Sequence, residues 1–218
     1  MKTSLILLAL GAVMFAQTPP PKKTEGSPSL TNPATLNATA PATYKAKFTT
    51  TKGDFVIEVT RAWAPRGADR FYNLVKNGYF TDASFFRVVP GFIVQFGMPA
   101  DPKLNAVWQK ANIRDDPRNQ SNAPGTIVFA TSGANTRTTQ LFINLVDNGA
   151  MLDGKGFTPF GKVTEGFAVV QQLYGGYGDM RSMGGSGPEQ GDIARGGKAY
   201  LDKNFPRLDS IKSASIVE

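Results

Sequence analysis

SFFRVVPGFIVQFG, residues 84–97, decides how the rest of the chain is read. The stretch is short, apolar and broken by Pro90-Gly91, which favours two strands around a bend over a helix. A period of two puts Phe85, Arg87, Val89, Ile93 and Gln95 on one side, and the bend turns Phe92 toward them. A cation, an amide and apolar bulk then share one surface. An arginine snorkelling from a strand to water, beside a surface glutamine, would use the same residues. Two polar groups in so apolar a run point instead to the wall of a cleft.

Working outward, Tyr44, Ala46 and Phe48 alternate with Lys45, Lys47 and Thr49, and Phe55, Ile57 and Val59 are set against Asp54 and Glu58. The Thr51-Lys52-Gly53 turn joins these two strands as a hairpin. Pro65 suits the first turn of a helix, and Ala68, Phe71, Leu74 and Val75 recur on one face of about three turns until Gly78. Apolar runs around residues 126–131 and 141–146 are bounded by Gly, Pro or Asn and read as strands. A second helix is expected over 166–174, with Phe167, Val170 and Leu173 on one side. Many strands with two helices predict an all-β-dominated chain, a closed barrel whose ends the helices cap.

The segment GGYGDMRSMGGSGPEQGD after Tyr174 has no apolar period and reads as a loop. No Gly-Lys-Ser/Thr follows it, so it is not a phosphate cradle. It opens an insertion at about 175–206, in which 195–206 add a short helix, before a closing strand over 208–217. At the other end, residues 1–16 read as a signal peptide: Lys2, an apolar run from Leu5 to Phe15, then small Ala16. The run is too short for a comfortable span of about 20 apolar residues, so the expectation is export, periplasmic or secreted, without stable membrane insertion after processing. Residues 17–43, crowded with Pro, Thr, Ser and Asn, read as a disordered linker. One domain, 44–218, remains.

The chain has no Cys and no His, which removes thiol nucleophiles, imidazole bases and the commonest soft-metal ligands. Neither a metal nor a cofactor is expected. A net charge of +7 invites a nucleic-acid partner. Lys45, Lys52, Arg70, Lys110 and Lys162 are dispersed, however, and form no stripe, so no nucleic-acid site is expected.

At FFRVVPGFIVQFG the sequence resembles the cyclophilin family, and TIVFATSGANTRTTQLFIN (126–144) and LDGKGFTPFGKVTEGFAVV (152–170) are similar to its next two diagnostic segments. The resemblance runs from about residue 44 to 174 in the family's order. It implies a monomeric peptidyl-prolyl cis-trans isomerase on an eight-stranded antiparallel barrel with two capping helices, acting on proline-containing polypeptides. Carried over by motif position, Arg87 is the catalytic cation and Gln95 stands with it. Phe92, Ile93, Phe142 and Leu152 shape a proline pocket, while Gln140 and the Ala130-Thr131 backbone hold the substrate chain with Gln95. For Phe142 and Leu152 core packing explains the residue type equally well, and for Phe129 it explains it better. Met151 occupies the pocket position where many members carry Trp, the His common after Lys155 is missing, and Thr131 replaces a frequent Asn. Losing the indole removes a donor and a flat contact, so reduced cyclosporin sensitivity is expected.

Three rivals stand beside this reading. A non-catalytic chaperone that binds proline segments would not need the cation of Arg87. A carboxylate hydrolase would use Asp115 with Asp116, or Asp147 with Asp153, although DDPRN suits turns and caps. A ligand-carrying barrel would need a hollow interior, whereas abundant Phe and Ile predict a filled one.

Overall fold

The computed structural model describes residues 28–217. Eight strands form one antiparallel sheet: β1 (Thr43–Thr50), β2 (Asp54–Thr60), β3 (Arg87–Val89), β4 (Ile93–Phe96), β5 (Thr126–Phe129), β6 (Leu141–Asn144), β7 (Pro159–Glu165) and β8 (Ile211–Val217). Their order across the sheet is β3-β4-β6-β5-β7-β2-β1-β8. The sheet curls until Ser84 and Ser210 form one isolated bridge, but no ladder joins β3 to β8. The expected closed barrel is therefore an open, curled half-barrel. Backbone hydrogen bonds cross the seam only ahead of β3, from Asp82 N–H to the Ile211 carbonyl at 2.8 Å, Ile211 N–H to the Ala83 carbonyl at 2.9 Å and Phe85 N–H to the Asp209 carbonyl at 2.9 Å, and the three residues of β3 itself have no partner in β8.

The hairpin pattern holds. Phe48 pairs with Phe55, Ala46 with Ile57 and Tyr44 with Val59, so one face of β1–β2 points inward. The Phe48 and Phe55 rings stack 5.1 Å apart, and Phe71, Phe80, Phe85, Phe96, Phe129 and Phe160 fill the interior with them. Burial of about 25 cal/mol per Å² of apolar surface makes this aromatic core the main source of stability. A core packed with rings contradicts the ligand-carrying reading. Phe85 belongs to this core and not to the face of Arg87, because residues 84–86 precede β3 and do not keep its alternation.

Helix α1 (Pro65–Lys76) starts with Pro at its first turn and buries Ala68, Phe71, Leu74 and Val75 against the sheet. Helices α2 (Pro102–Trp108), α3 (Gly149–Leu152), α4 (Phe167–Gln171) and α5 (Gln190–Asn204) complete the set among the described residues, against two capping helices and one short helix in the insertion that were expected. The helix expected over 166–174 is the five-residue α4. The one expected over 195–206 begins earlier, at Gln190, and bends at Gly197, whose φ of 55° and ψ of −148° are not helical. A Cβ at Gly197 would lie 2.3 Å from the Ala100 carbonyl oxygen, so only glycine fits where α5 crosses this loop. Ile193, Leu201 and Phe205 pack there on Phe86 and Met98, a second apolar cluster outside the main core.

The expected linker 17–43 is not a free tether over its described part. Leu30 is buried and its carbonyl accepts a hydrogen bond from Trp108 Nε1 at 2.8 Å. Asn73 receives the Ala38 N–H at 3.2 Å and donates to the Ala38 carbonyl at 2.7 Å, and Asp69 accepts from the Ala40 N–H at 2.9 Å. Few apolar residues suffice because α1 and α2 supply polar partners for the backbone. Trp108→Phe should leave the Leu30 carbonyl unsatisfied and cost about 1–3 kcal/mol, lowering the melting temperature by several degrees in a thermal circular-dichroism scan. The signal-peptide reading of 1–16 lies outside the described residues.

Candidate active site

Register builds the site. Arg87 on β3 pairs with Gln95 on β4, Gln95 pairs with Phe142 on β6, and Phe142 pairs with Val128 on β5. In neighbouring antiparallel strands paired residues share a face, so a cation, an amide and two apolar side chains form one row. The neighbouring residues Val94, Ile143 and Ile127 face the core instead. Ile93, Val128, Phe142 and Leu152 cluster on the outward face, with Phe92, Ala130 and Phe157 packed against them. Phe157 meets Phe142 edge-on at 5.5 Å. The expected side for Arg87, Ile93 and Gln95 is thus the observed one.

Polar contacts run along the row. Arg87 Nη1 donates to Gln95 Oε1 at 2.9 Å, Gln95 Nε2 to Gln140 Oε1 at 2.9 Å, and Gln140 Nε2 to Gln190 Oε1 at 3.0 Å. Arg87 also meets Asp179 in a two-pronged contact, Nε to Oδ1 at 2.7 Å and Nη2 to Oδ2 at 3.0 Å. Its guanidinium carbon sits 5.9 Å from the Phe92 ring centroid. The cation therefore borders the apolar cluster while being held from two sides.

The remaining candidates divide. Ala130 packs on the cluster, and its N–H is already donated to the Gln140 carbonyl at 2.9 Å. Thr131 turns its hydroxyl to Gly133 and Thr136, away from the row. Leu152 lies in the cluster, whereas Met151 beside it is 54% exposed. Phe129 is a core residue. Asp179, Gln190 and Phe157 were not singled out by sequence reasoning. One acidic residue inside GGYGDMRSMGGSG was the only signal for Asp179, and nothing marked where that loop would land.

The carboxylates of the hydrolase reading are occupied. Asp115 and Asp116 pair with Arg137. Asp153 accepts from the backbone and side-chain N–H groups of Asn122 and pairs with Arg118, and Asp147 accepts from the Gly149 N–H.

Hydrogen bonds from Arg87 hold the Asp179 carboxyl below its ordinary range. Burial pushes Asp69 and Asp153 up, but Arg61 and the Ala40 N–H on the first, and Asn122 on the second, outweigh it and leave both lowered. A lowered carboxylate contributes stability that is present above its unfolded value of about 4 and is lost as pH falls through the folded value. With no His in the chain, thermal stability should be flat between about pH 5 and 7 and fall below about pH 4. A melting-temperature series across that range checks this.

Fold and site together describe a curled antiparallel sheet that sets one fixed cation beside an outward apolar patch, in a chain without Cys or His. The model of the cyclophilin type peptidyl-prolyl cis-trans isomerase family matches residues 45–186. Peptidyl-prolyl cis-trans isomerase-like 1 of Aspergillus niger is 33% identical over 129 residues, 58% of this chain and 78% of that protein. Peptidyl-prolyl cis-trans isomerase B of Escherichia coli K12 is 32% identical over 136 residues, covering 59% and 82%. The crystal structure of a cyclophilin type peptidyl-prolyl cis-trans isomerase of Cryptosporidium parvum shares the fold, with a TM-score of 0.59 at 20% identity over 81% of this chain and 98% of that one. The chain belongs to the cyclophilin-type peptidyl-prolyl cis-trans isomerase family.

Proposed function

We propose that this chain accelerates rotation about X–Pro peptide bonds, with Arg87 as the catalytic cation, Gln95 as its partner, and Ile93, Phe142, Leu152 and Phe92 seating the proline ring. Rotation faces a barrier of about 18–20 kcal/mol because the nitrogen lone pair is delocalised into the carbonyl. Twisting localises that pair, and a guanidinium N–H can then donate to it. The planar ground state offers no such acceptor, so the bond is made only at the barrier top. No proton is transferred and no bond breaks, which suits a chain without His or Cys.

The observation that carries this reading is the adjacency of Arg87 to the Phe92 ring and, through the strand row, to Phe142. The backbone of Ala130 and Thr131, with Gln140, holds the substrate chain in this scheme. A second structure of the Cryptosporidium parvum protein, at TM-score 0.57, was solved in the presence of the dipeptide Ala-Pro, which has the chemistry assigned here to the substrate. A protease-coupled assay on a short Ala-Pro-containing peptide tests the function: the purified chain should raise the isomerisation rate well above the uncatalysed one.

The same site should bind cyclosporin weakly, because Met151 offers neither an indole donor nor a flat ring. Met151→Trp is expected to tighten inhibition by about tenfold, the scale of one such contact, in an inhibitor titration against the purified protein. Clients are exported polypeptides in this reading, supported by the Lys2 and Leu5-to-Phe15 pattern. Fractionation of expressing cells tests the compartment.

A further inference from the structure

Asp179 does not reach Arg87 by chance of a loose loop. The insertion between α4 and α5 is knitted around it: Gly187 N–H donates to the Asp179 carbonyl at 2.8 Å, Gly185 N–H to the Met180 carbonyl at 3.0 Å, and Ser186 N–H to the Tyr177 carbonyl at 2.9 Å. A Cβ at Gly185 would stand 2.0 Å from the Asp179 carbonyl oxygen, so the chain closes this tightly only with glycine there. Glu189 locks the far side by accepting from Ser182 N–H at 2.6 Å and Ser182 Oγ at 2.9 Å. At its entry the loop lies on the β3–β4 bend, where a Cβ on Gly175 would be 3.0 Å from Pro90 Cγ. The product of all these contacts is one carboxylate aimed at one guanidinium.

We propose that Asp179 is a positioning residue for Arg87, which makes the glycine-rich insertion part of the catalytic machinery. The proposal rests on the reading of Arg87 as the catalytic cation. A guanidinium has five N–H groups. Asp179 takes the one on Nε and one on Nη2, and Gln95 takes one on Nη1, which leaves one on each Nη for a substrate. Two acceptors on different edges fix the plane of the group, whereas Gln95 alone leaves a long side chain free to rotate about that single contact. The side chain of Arg87 is only 10% exposed, so without a carboxylate the cation is short of compensation and is drawn toward water, away from the apolar patch. The same carboxylate also lowers the positive potential that the substrate meets. Alignment outweighs that loss, because a small misplacement of a catalytic group can cost far more in rate than a weakened donor.

The test uses the full chain as wild type, Asp179→Ala, Asp179→Asn, Arg87→Ala and the Arg87→Ala/Asp179→Ala double variant. Isomerisation of an Ala-Pro peptide is measured together with peptide affinity by titration and folding by circular dichroism. Asp179→Ala is expected to lower kcat/KM about tenfold, with most of the loss in kcat and peptide affinity within about threefold. Asp179→Asn, which keeps an acceptor without the charge, should fall between, and it carries the comparison if the alanine variant fails to fold. In the Arg87→Ala background the Asp179→Ala change should alter the rate less than about twofold, because its effect runs through the guanidinium. Equal fold losses in both backgrounds, or a folded Asp179 variant as fast as wild type or faster, would overturn the proposal while leaving the assignment of Arg87 intact. Wild-type rates from Arg87→Ala would instead overturn the assignment on which the proposal stands.

Discussion

Arg87→Ala is expected to lower kcat/KM for an Ala-Pro peptide by roughly 10- to 100-fold, the rate equivalent of a charge-assisted hydrogen bond worth about 1.5–3 kcal/mol at the barrier top. Peptide affinity should change little, since the apolar cluster of Ile93, Phe142 and Leu152 binds ground and transition states alike. Arg87→Lys should recover only part of the loss, because a lysine cannot reproduce the planar fork that meets Asp179 and Gln95 together. Removing Arg87 also strands Asp179, but that carboxylate is 23% exposed and can take up water. The variant should therefore fold. A protease-coupled assay beside a thermal melt separates lost chemistry from lost structure. A non-catalytic binder predicts no change in rate on this substitution, because it has no rate to lose.

The largest effect on stability is expected from Asp116→Ala, at about 3–5 kcal/mol, the usual consequence of leaving a buried charge without its partner. Asp116 is 1% exposed and Arg137, its ion-pair partner, is 2% exposed. Asp116 Oδ2 receives both Arg137 Nη1 and Nη2 at 3.2 Å, and the same carboxylate accepts the N–H groups of Arg66 at 3.0 Å and Gly67 at 2.9 Å. It thus caps α1 from fifty residues away in place of Ala64, whose side chain has nothing to offer. Asp115 substitutes only in part: its Oδ1 lies 3.2 Å from Arg137 Nε, off hydrogen-bond geometry, so it compensates some of the charge but supplies neither the Nη contacts nor the cap on α1. The loss should lower the melting temperature by roughly 10 °C in a chain of this size. Asp116→Asn, which keeps one acceptor oxygen for the cap but not the charge, should cost less. A shift of under about 2 °C for the alanine variant would mean that the cation finds water after the change.

What was legible in the sequence was whatever repeats locally. Alternation in Tyr44, Ala46 and Phe48 against Phe55, Ile57 and Val59 carried the first hairpin, down to its pairing. The contrast of Arg87 and Gln95 with their apolar neighbours marks the face that the two share in the sheet. Helix α2 is not legible, although Asp101 and Pro102 give it a cap and a first turn, because its seven residues are too few to show a period. The sequence hides the start of α5 because Gly196 and Gly197 break the pattern where the helix bends. Alternation puts Phe85 on the wrong side since it presumes a strand, and residues 84–86 are not in one. Closure of the barrel is not legible for a similar reason, as local patterning says nothing about whether two edges meet along a ladder. The long-range partners Asp116, for the start of α1, and Asp179, for Arg87, lie fifty and ninety-two residues from the groups they serve. No local spacing rule reaches that far.

The resemblance supplied what periodicity could not, a role for each side chain on the face. The row Arg87, Gln95, Phe142 and the chain of amides through Gln140 to Gln190 add a physical reason for it. Each amide donates onward and accepts from behind, so the guanidinium at the end is held by a sequence of fixed dipoles. Such preorganisation does not have to be rebuilt as the peptide bond twists.

The most direct measurement is the rate of cis–trans exchange of an Ala-Pro peptide while it is bound, read from NMR exchange cross-peaks under saturating protein, for wild type and Arg87→Ala. Bound-state exchange should slow by at least about tenfold in the variant while the dissociation constant stays within about threefold. Equal exchange rates in the two proteins would contradict it, because the guanidinium would then contribute nothing to the rotating bond.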